Sequence, residues 1–203
     1  KPPFFGAFRI LMQSTTDTPF APPRPNSTRK LPGWVDALGT WFLPSDPRAA
    51  TAEPYLDWLL DTGSLTARLK ARSAGNFEVE LADQGWISIE DTALRSRFGP
   101  VVAEHEFWSR KVALKGAGFD WVFAHTLIPQ HALRGELADI LSLGTTPLGE
   151  WLFAQAALKR SPIELCRIGS NTWGRRSWFY LESKPVLVVE YFLPSLLGDS
   201  LSR

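Results

Sequence analysis

The stretch "AEHEFWSRKVALKGAGFDWVFAHTLIP", residues 103–129, reads as two long strands of alternating side chains joined at Gly116 and Gly118. Glycine supplies the positive φ that a tight hairpin turn needs, so the two strands are antiparallel neighbours.

Working outward, "NFEVELADQGWISI" sets Phe77, Val79 and Leu81 against polar neighbours, the period of a half-buried strand. Before it, "EPYLDWLLDTG" places Tyr55, Leu56, Leu59 and Leu60 on one helix face that ends at Gly63. A second helix starts almost at once, with Ser64 as its N-cap and Leu65 and Leu69 four apart. A short helical piece follows at "DTALRSRFG" and another near "ALRGELADILSLG". In "GTTPLGEWLFAQ", Thr146 reads as an N-cap, Pro147 as the first helical residue, and Leu148, Trp151 and Leu152 as an apolar face. Three more strands fit "PIELCRIG", "RRSWFYLE" and "PVLVVEYFLP". Strands in runs, with helices inserted between them, predict an antiparallel α+β fold.

The last of these strands carries a chemical puzzle. Val186, Val188, Glu190 and Phe192 share one face, Leu187, Val189, Tyr191 and Leu193 the other, and both faces are apolar around a single carboxylate. Left unpaired there, Glu190 costs several kcal/mol, so it is protonated, paired or completed by a ligand. Arg110 poses the matching problem, because it shares a strand face with Glu106, Trp108, Val112 and Leu114 and needs an anionic partner. Either the two pair with each other and are structural, or a cavity separates them and they hold opposite ends of one polar molecule. The free amides at the helix starts near Leu65 and Leu148 are further donors, most often satisfied by caps or water. "GRRS", residues 174–177, reads as a solvated basic pair, and His125 as a satisfied histidine.

The bulk properties narrow the class. The 203 residues suit one domain with a tail, and 44% hydrophobic residues with nine tryptophans can fill a core. A formal net charge of +1 gives no general pull toward nucleic acid or an anionic membrane. The single cysteine, Cys166, forms no internal disulfide, which fits a reducing cytoplasm, and no His or Cys spacing matches a metal site. No apolar run reaches the roughly 18 residues of a membrane span. Residues 1–30, with "TPFAPPRPNSTRKLP" running across their end, read as a proline-rich tail, which leaves 31–198 as the domain. Neither a nucleophile elbow nor a glycine-rich phosphate loop occurs.

Six segments, "LDWLLDTGSLTARL" (56–69), "FWSRKVAL" (107–114), "WVFAHTLIP" (121–129), "LGTTPLGEWLF" (143–153), "WGRRS" (173–177) and "KPVLVVEYFLP" (184–194), resemble in order and spacing the bacterial chorismate–pyruvate lyase family. The resemblance implies an enzyme that removes pyruvate from chorismate to leave 4-hydroxybenzoate, the first committed step toward ubiquinone, without metal or organic cofactor. It also implies an antiparallel sheet of about six strands with helical flaps over an internal cavity. Carried over position by position, Arg110 matches the arginine at the ring carboxylate and Glu190 the glutamate at the ring hydroxyl. Leu65 and Leu148 match flap contacts, with methionine frequent in the family at the first. The chain departs from the family pattern at His125, where arginine is usual, and at Lys111, where an acid is usual. A histidine there implies a weaker or pH-dependent hold on the enolpyruvyl carboxylate. Chorismate is thus the expected partner of a monomeric chain with no nucleic-acid or membrane partner. The rival reading is a non-catalytic, small-molecule-sensing domain of the same fold, as in GntR-type regulators. Such regulators need an N-terminal helix-turn-helix, which residues 1–30 are too rich in proline to form.

Overall fold

The computed structural model describes residues 40–99 and 106–198, so the expected tail at 1–30 lies outside the described residues. Seven strands form one antiparallel sheet: β1 (Phe77–Ser88), β2 (Glu106–Gly116), β3 (Phe119–Pro129), β4 (Lys159–Arg160), β5 (Glu164–Ile168), β6 (Thr172–Leu181) and β7 (Lys184–Phe192). Their order across the sheet is β1-β2-β3-β7-β6. The outer side of β6 is shared, β4 pairing with Phe179 and Tyr180 and β5 with the stretch from Thr172 to Arg176. Seven strands therefore fill six positions, which reconciles the observed count with the six expected.

The β2–β3 hairpin turns where the sequence places it, through Ala117 and Gly118, both at positive φ (52° and 82°). Gly116 is required for a different reason. A Cβ there would fall 2.1 Å from the Trp121 ring, which a slip in register between Leu114 and Lys115 folds back over the strand end. A second two-residue turn, Glu182 and Ser183 (φ 50° and 67°), joins β6 to β7 without any glycine.

Alternation sorts the strands' side chains onto two faces, as the sequence predicts. Val112, Leu114, Val122, Ala124, Val188 and Phe192 lie on one face, under α2 (Leu65–Arg72), α4 (Leu148–Phe153) and the 3-10 turns Gly135–Ser142 and Pro194–Leu197. Phe107, Ala113, Phe123, Leu127, Leu187, Val189 and Tyr191 lie on the other, against Phe98 and α3 (Thr92–Ser96). Each fully buried leucine or phenylalanine contributes roughly 1.5–3 kcal/mol, so the two apolar layers supply most of the driving force.

Two helix boundaries differ from expectation. The helix expected to run to Gly63 is one turn, α1 (Leu56–Leu59), capped at Leu60. Leu60 is exposed, Gly63 has no positive φ, and its amide is held instead by the Asp61 carboxylate. At α4 the N-cap is Pro147, in extended backbone, rather than Thr146, whose carbonyl has another use. Helices this short are not stable alone, and tertiary packing fixes their ends.

Cys166 is wholly buried on the α3 face of the sheet, and burial pushes its thiol up to about 12. At pH 8 almost no thiolate exists, so the native protein is expected to resist DTNB over minutes and to react with one equivalent in denaturant. Rapid labelling of the native protein would mean that this layer opens freely.

Candidate active site

Between the sheet and the flaps α2 and α4 lies a cavity of about 580 Å³ of non-atom space, partly open to solvent. Its walls are apolar: Val112, Ala124 and Val188 from the sheet, and Leu65 and Leu148, the first residues of the two flaps. Ser64 accepts from the Ala67 amide as the expected cap, which fixes the α2 entry. The flaps meet at Gly149, where a Cβ would sit 2.7 Å from the Thr66 hydroxyl. An exposed Lys70–Glu150 ion pair joins them at the rim.

Arg110 and Glu190 both line this cavity and do not pair with each other. Arg110 projects from the middle of β2 and is 2% exposed. Its Nη2 donates to the carbonyls of Gly144 (2.8 Å) and Thr146 (3.0 Å), while its Nε is buried with no acceptor. No carboxylate of the described residues answers its charge, and burial pushes the guanidinium down to about 10. It still carries its proton at neutral pH. A buried cation held in place by neutral carbonyls, with a donor to spare, has the chemistry to take up an anion.

Glu190 is the paired case. Its Oε2 accepts from Arg175 Nε at 2.5 Å, and Arg175 Nη1 donates to the carbonyls of Trp58 (2.9 Å) and Asp61 (2.7 Å). Arg175 and Glu190 are direct cross-strand partners on β6 and β7, with Ala124 of β3 on the other side of Glu190. Oε1 of Glu190 makes no hydrogen bond to the described residues, so it remains an acceptor for a hydroxyl.

His125 is not brought to this cavity. It pairs with Val189 and lies on the opposite face, its Nε2 2.8 Å from the Ser109 hydroxyl, beside a separate depression that Arg176 also lines. Strand alternation accounts for this: Ala124 and Thr126 face the cavity, so the residue between them cannot. The expected contact between His125 and the substrate is corrected accordingly.

Two further arginines line the cavity, Arg175, which the sequence ranks as a solvated residue ahead of an anion site, and Arg160, which it does not single out. The "GRRS" arginines are buried, not solvated: Arg175 enters the cavity and Arg176 bonds Glu164 on the other face. The alternation that singles out Arg110 was present there too, since Trp173, Trp178 and Phe179 surround them. Arg160, on the two-residue strand β4, gave no signal.

The two guanidiniums should differ in what they do for stability. Arg175→Met leaves the Glu190 charge buried and unpaired, and is expected to cost about 3–5 kcal/mol in urea unfolding. Arg110→Met keeps the volume and leaves no carboxylate behind, so a change under about 1 kcal/mol is expected. Equal losses would show Arg110 to be part of the structural framework.

The family model described as chorismate lyase matches residues 37–200. A probable chorismate pyruvate-lyase of Pseudomonas aeruginosa (strain UCBPP-PA14) is 39% identical over 165 residues, covering 76% of this chain and 92% of its own length. The chorismate pyruvate-lyase of Erwinia tasmaniensis is 36% identical over 163 residues, covering 80% and 91%. Among solved structures, PhnF from Mycobacterium smegmatis superposes with a TM-score of 0.50 at 12% identity, covering 67% of this chain and 66% of that one, a likeness of fold alone. The family match runs through every strand and both flaps, and the chain belongs to the chorismate lyase family.

Proposed function

We propose that this cavity binds chorismate and converts it to 4-hydroxybenzoate and pyruvate. The observation that carries the reading is the buried, carboxylate-free guanidinium of Arg110 in the same apolar cavity as the free Oε1 of Glu190. The arginine takes the ring carboxylate at C1, and Glu190 accepts from the hydroxyl at C4, the far end of the ring. Leu65 and Leu148 close over the ring and keep water out. No group needs to act as a strong acid or base. The C3–O ether breaks as the hydrogen on C4 passes to the methylene of the enolpyruvyl arm, so pyruvate forms directly and the ring becomes aromatic. The protein's part is to hold the arm over C4 in a dry, charged cavity.

Every group this reading uses comes from one chain, which suits a monomer, and a lone reduced cysteine suits the cytoplasm. No helix of the described residues is long and apolar enough to cross a membrane.

Purified protein mixed with chorismate is expected to release 4-hydroxybenzoate and pyruvate in equal amounts. Arg110→Ala and Glu190→Ala should each lower kcat/KM by about 10- to 150-fold, since charge-assisted hydrogen bonds contribute roughly 1.5–3 kcal/mol each. Tight binding of 4-hydroxybenzoate with no turnover of chorismate would mean a sensing module instead. Because the flaps must part before product leaves, rapid mixing should also show a burst of about one equivalent of 4-hydroxybenzoate. A linear trace from the first turnover would place the slow step in the chemistry.

A further inference from the structure

Chorismate carries two carboxylates, one on the ring and one on the enolpyruvyl arm, and Arg110 answers only the first. Three guanidiniums line the cavity, those of Arg110, Arg160 and Arg175, against the one carboxylate of Glu190. That leaves two positive charges over, the complement of a dianion. Arg175 is consumed by Glu190 and by the carbonyls of Trp58 and Asp61. Arg160 is not. Its Nε donates to the Ser177 hydroxyl (3.0 Å) and its Nη1 to the Thr62 carbonyl (3.2 Å), and the guanidinium lies 5.1 Å from the centre of the Phe179 ring. Its Nη2 makes no hydrogen bond to the described residues, and no carboxylate of those residues forms an ion pair with it.

The position of Arg160 within the cavity is equally specific. Ser177, which holds it, lies two residues beyond Arg175 on the same face of β6, and Arg175 is the partner of Glu190. Arg160 therefore stands at the Glu190 end. The charges of Arg175, Glu190 and Asp61 act on it beneath the larger effect of burial, whereas burial is the only influence resolved at Arg110. On chorismate the ether carbon C3 adjoins C4, whose hydroxyl meets Glu190, and C4 is para to the ring carboxylate. A ring anchored at Arg110 and Glu190 thus carries its enolpyruvyl arm at the Glu190 end.

We infer that Arg160 binds the enolpyruvyl carboxylate of chorismate and holds the arm in place for transfer of the C4 hydrogen, an assignment that rests on the lyase reading above. The product 4-hydroxybenzoate has lost that carboxylate, so Arg160 discriminates substrate from product while Arg110 serves both.

The test compares Arg160→Gln, Arg160→Lys and Arg110→Gln by kcat/KM for chorismate and by the Kd of 4-hydroxybenzoate from tryptophan fluorescence. Arg160→Gln is expected to lower kcat/KM about 100-fold or more while the product Kd moves less than about threefold; Arg110→Gln should weaken both. Arg160→Lys should recover part of the loss, because a point charge replaces the fork. Independently of any folding defect, wild-type enzyme given chorismate esterified at the enolpyruvyl carboxylate should show a comparable loss. Unchanged kcat/KM in Arg160→Gln, equal weakening of product and substrate, or normal turnover of the ester would each overturn the assignment. Failure of the lyase reading is seen separately, as wild-type protein that makes no 4-hydroxybenzoate, and removes the assignment with it.

Discussion

A guanidinium sealed under an aromatic sheet keeps its charge only if enough acceptors surround it, and the architecture is organised around how Arg175 meets that demand. One nitrogen takes Glu190 from the neighbouring strand and another takes two carbonyls from the end of α1. The pair does more than neutralise itself. It fastens the turn that precedes the α2 flap to the centre of the sheet, and it fixes Glu190 with one oxygen engaged and the other facing the cavity.

Against that satisfied pair, Arg110 and Arg160 are held by neutral acceptors: backbone carbonyls, and for Arg160 a serine hydroxyl. Charge held this way is costly to the fold and favourable to an anionic ligand, the usual relation between site and stability. The apolar walls sharpen the contrast, because they lower the local dielectric and strengthen whatever ion pairs a ligand completes. An arginine with a carboxylate partner and one without can thus lie in one cavity and matter unequally to folding.

Much of this was legible in the sequence, because strand alternation is a local property. The faces of β2 and β7, the hairpin at Gly118 and the cap at Ser64 all follow from nearest neighbours, and so does the puzzle of two charges among apolar residues. The rest depends on tertiary contacts. Whether Arg110 meets Glu190 depends on a third residue, Arg175, fifteen positions from Glu190. The ends of α1 and α4 are set by packing and by the use Arg110 makes of the Thr146 carbonyl, not by glycine or threonine. A two-residue strand such as β4 has no period to read, so Arg160 was invisible. His125 is the converse case: the family correspondence points it at the substrate, whereas parity along β3 turns its neighbours, and not itself, toward the cavity.

The way β4 and β5 divide the flank of β6 has a consequence beyond the site. An open sheet ends in rows of unpaired amides and carbonyls, on which a second molecule can template a strand. Here one margin is cut into two short pieces separated by Pro162, and Phe42 covers part of the longer piece by bonding Leu165 in both directions. At the other margin β1 slips register between Leu81 and Asp83, and Glu78, Glu80 and Asp83 fall within the same few residues, Glu80 paired with Lys115 of β2. Among the described residues neither margin offers a long, flat, uncharged run, so the irregularities that shape the sheet also disfavour edge-to-edge pairing with a second molecule.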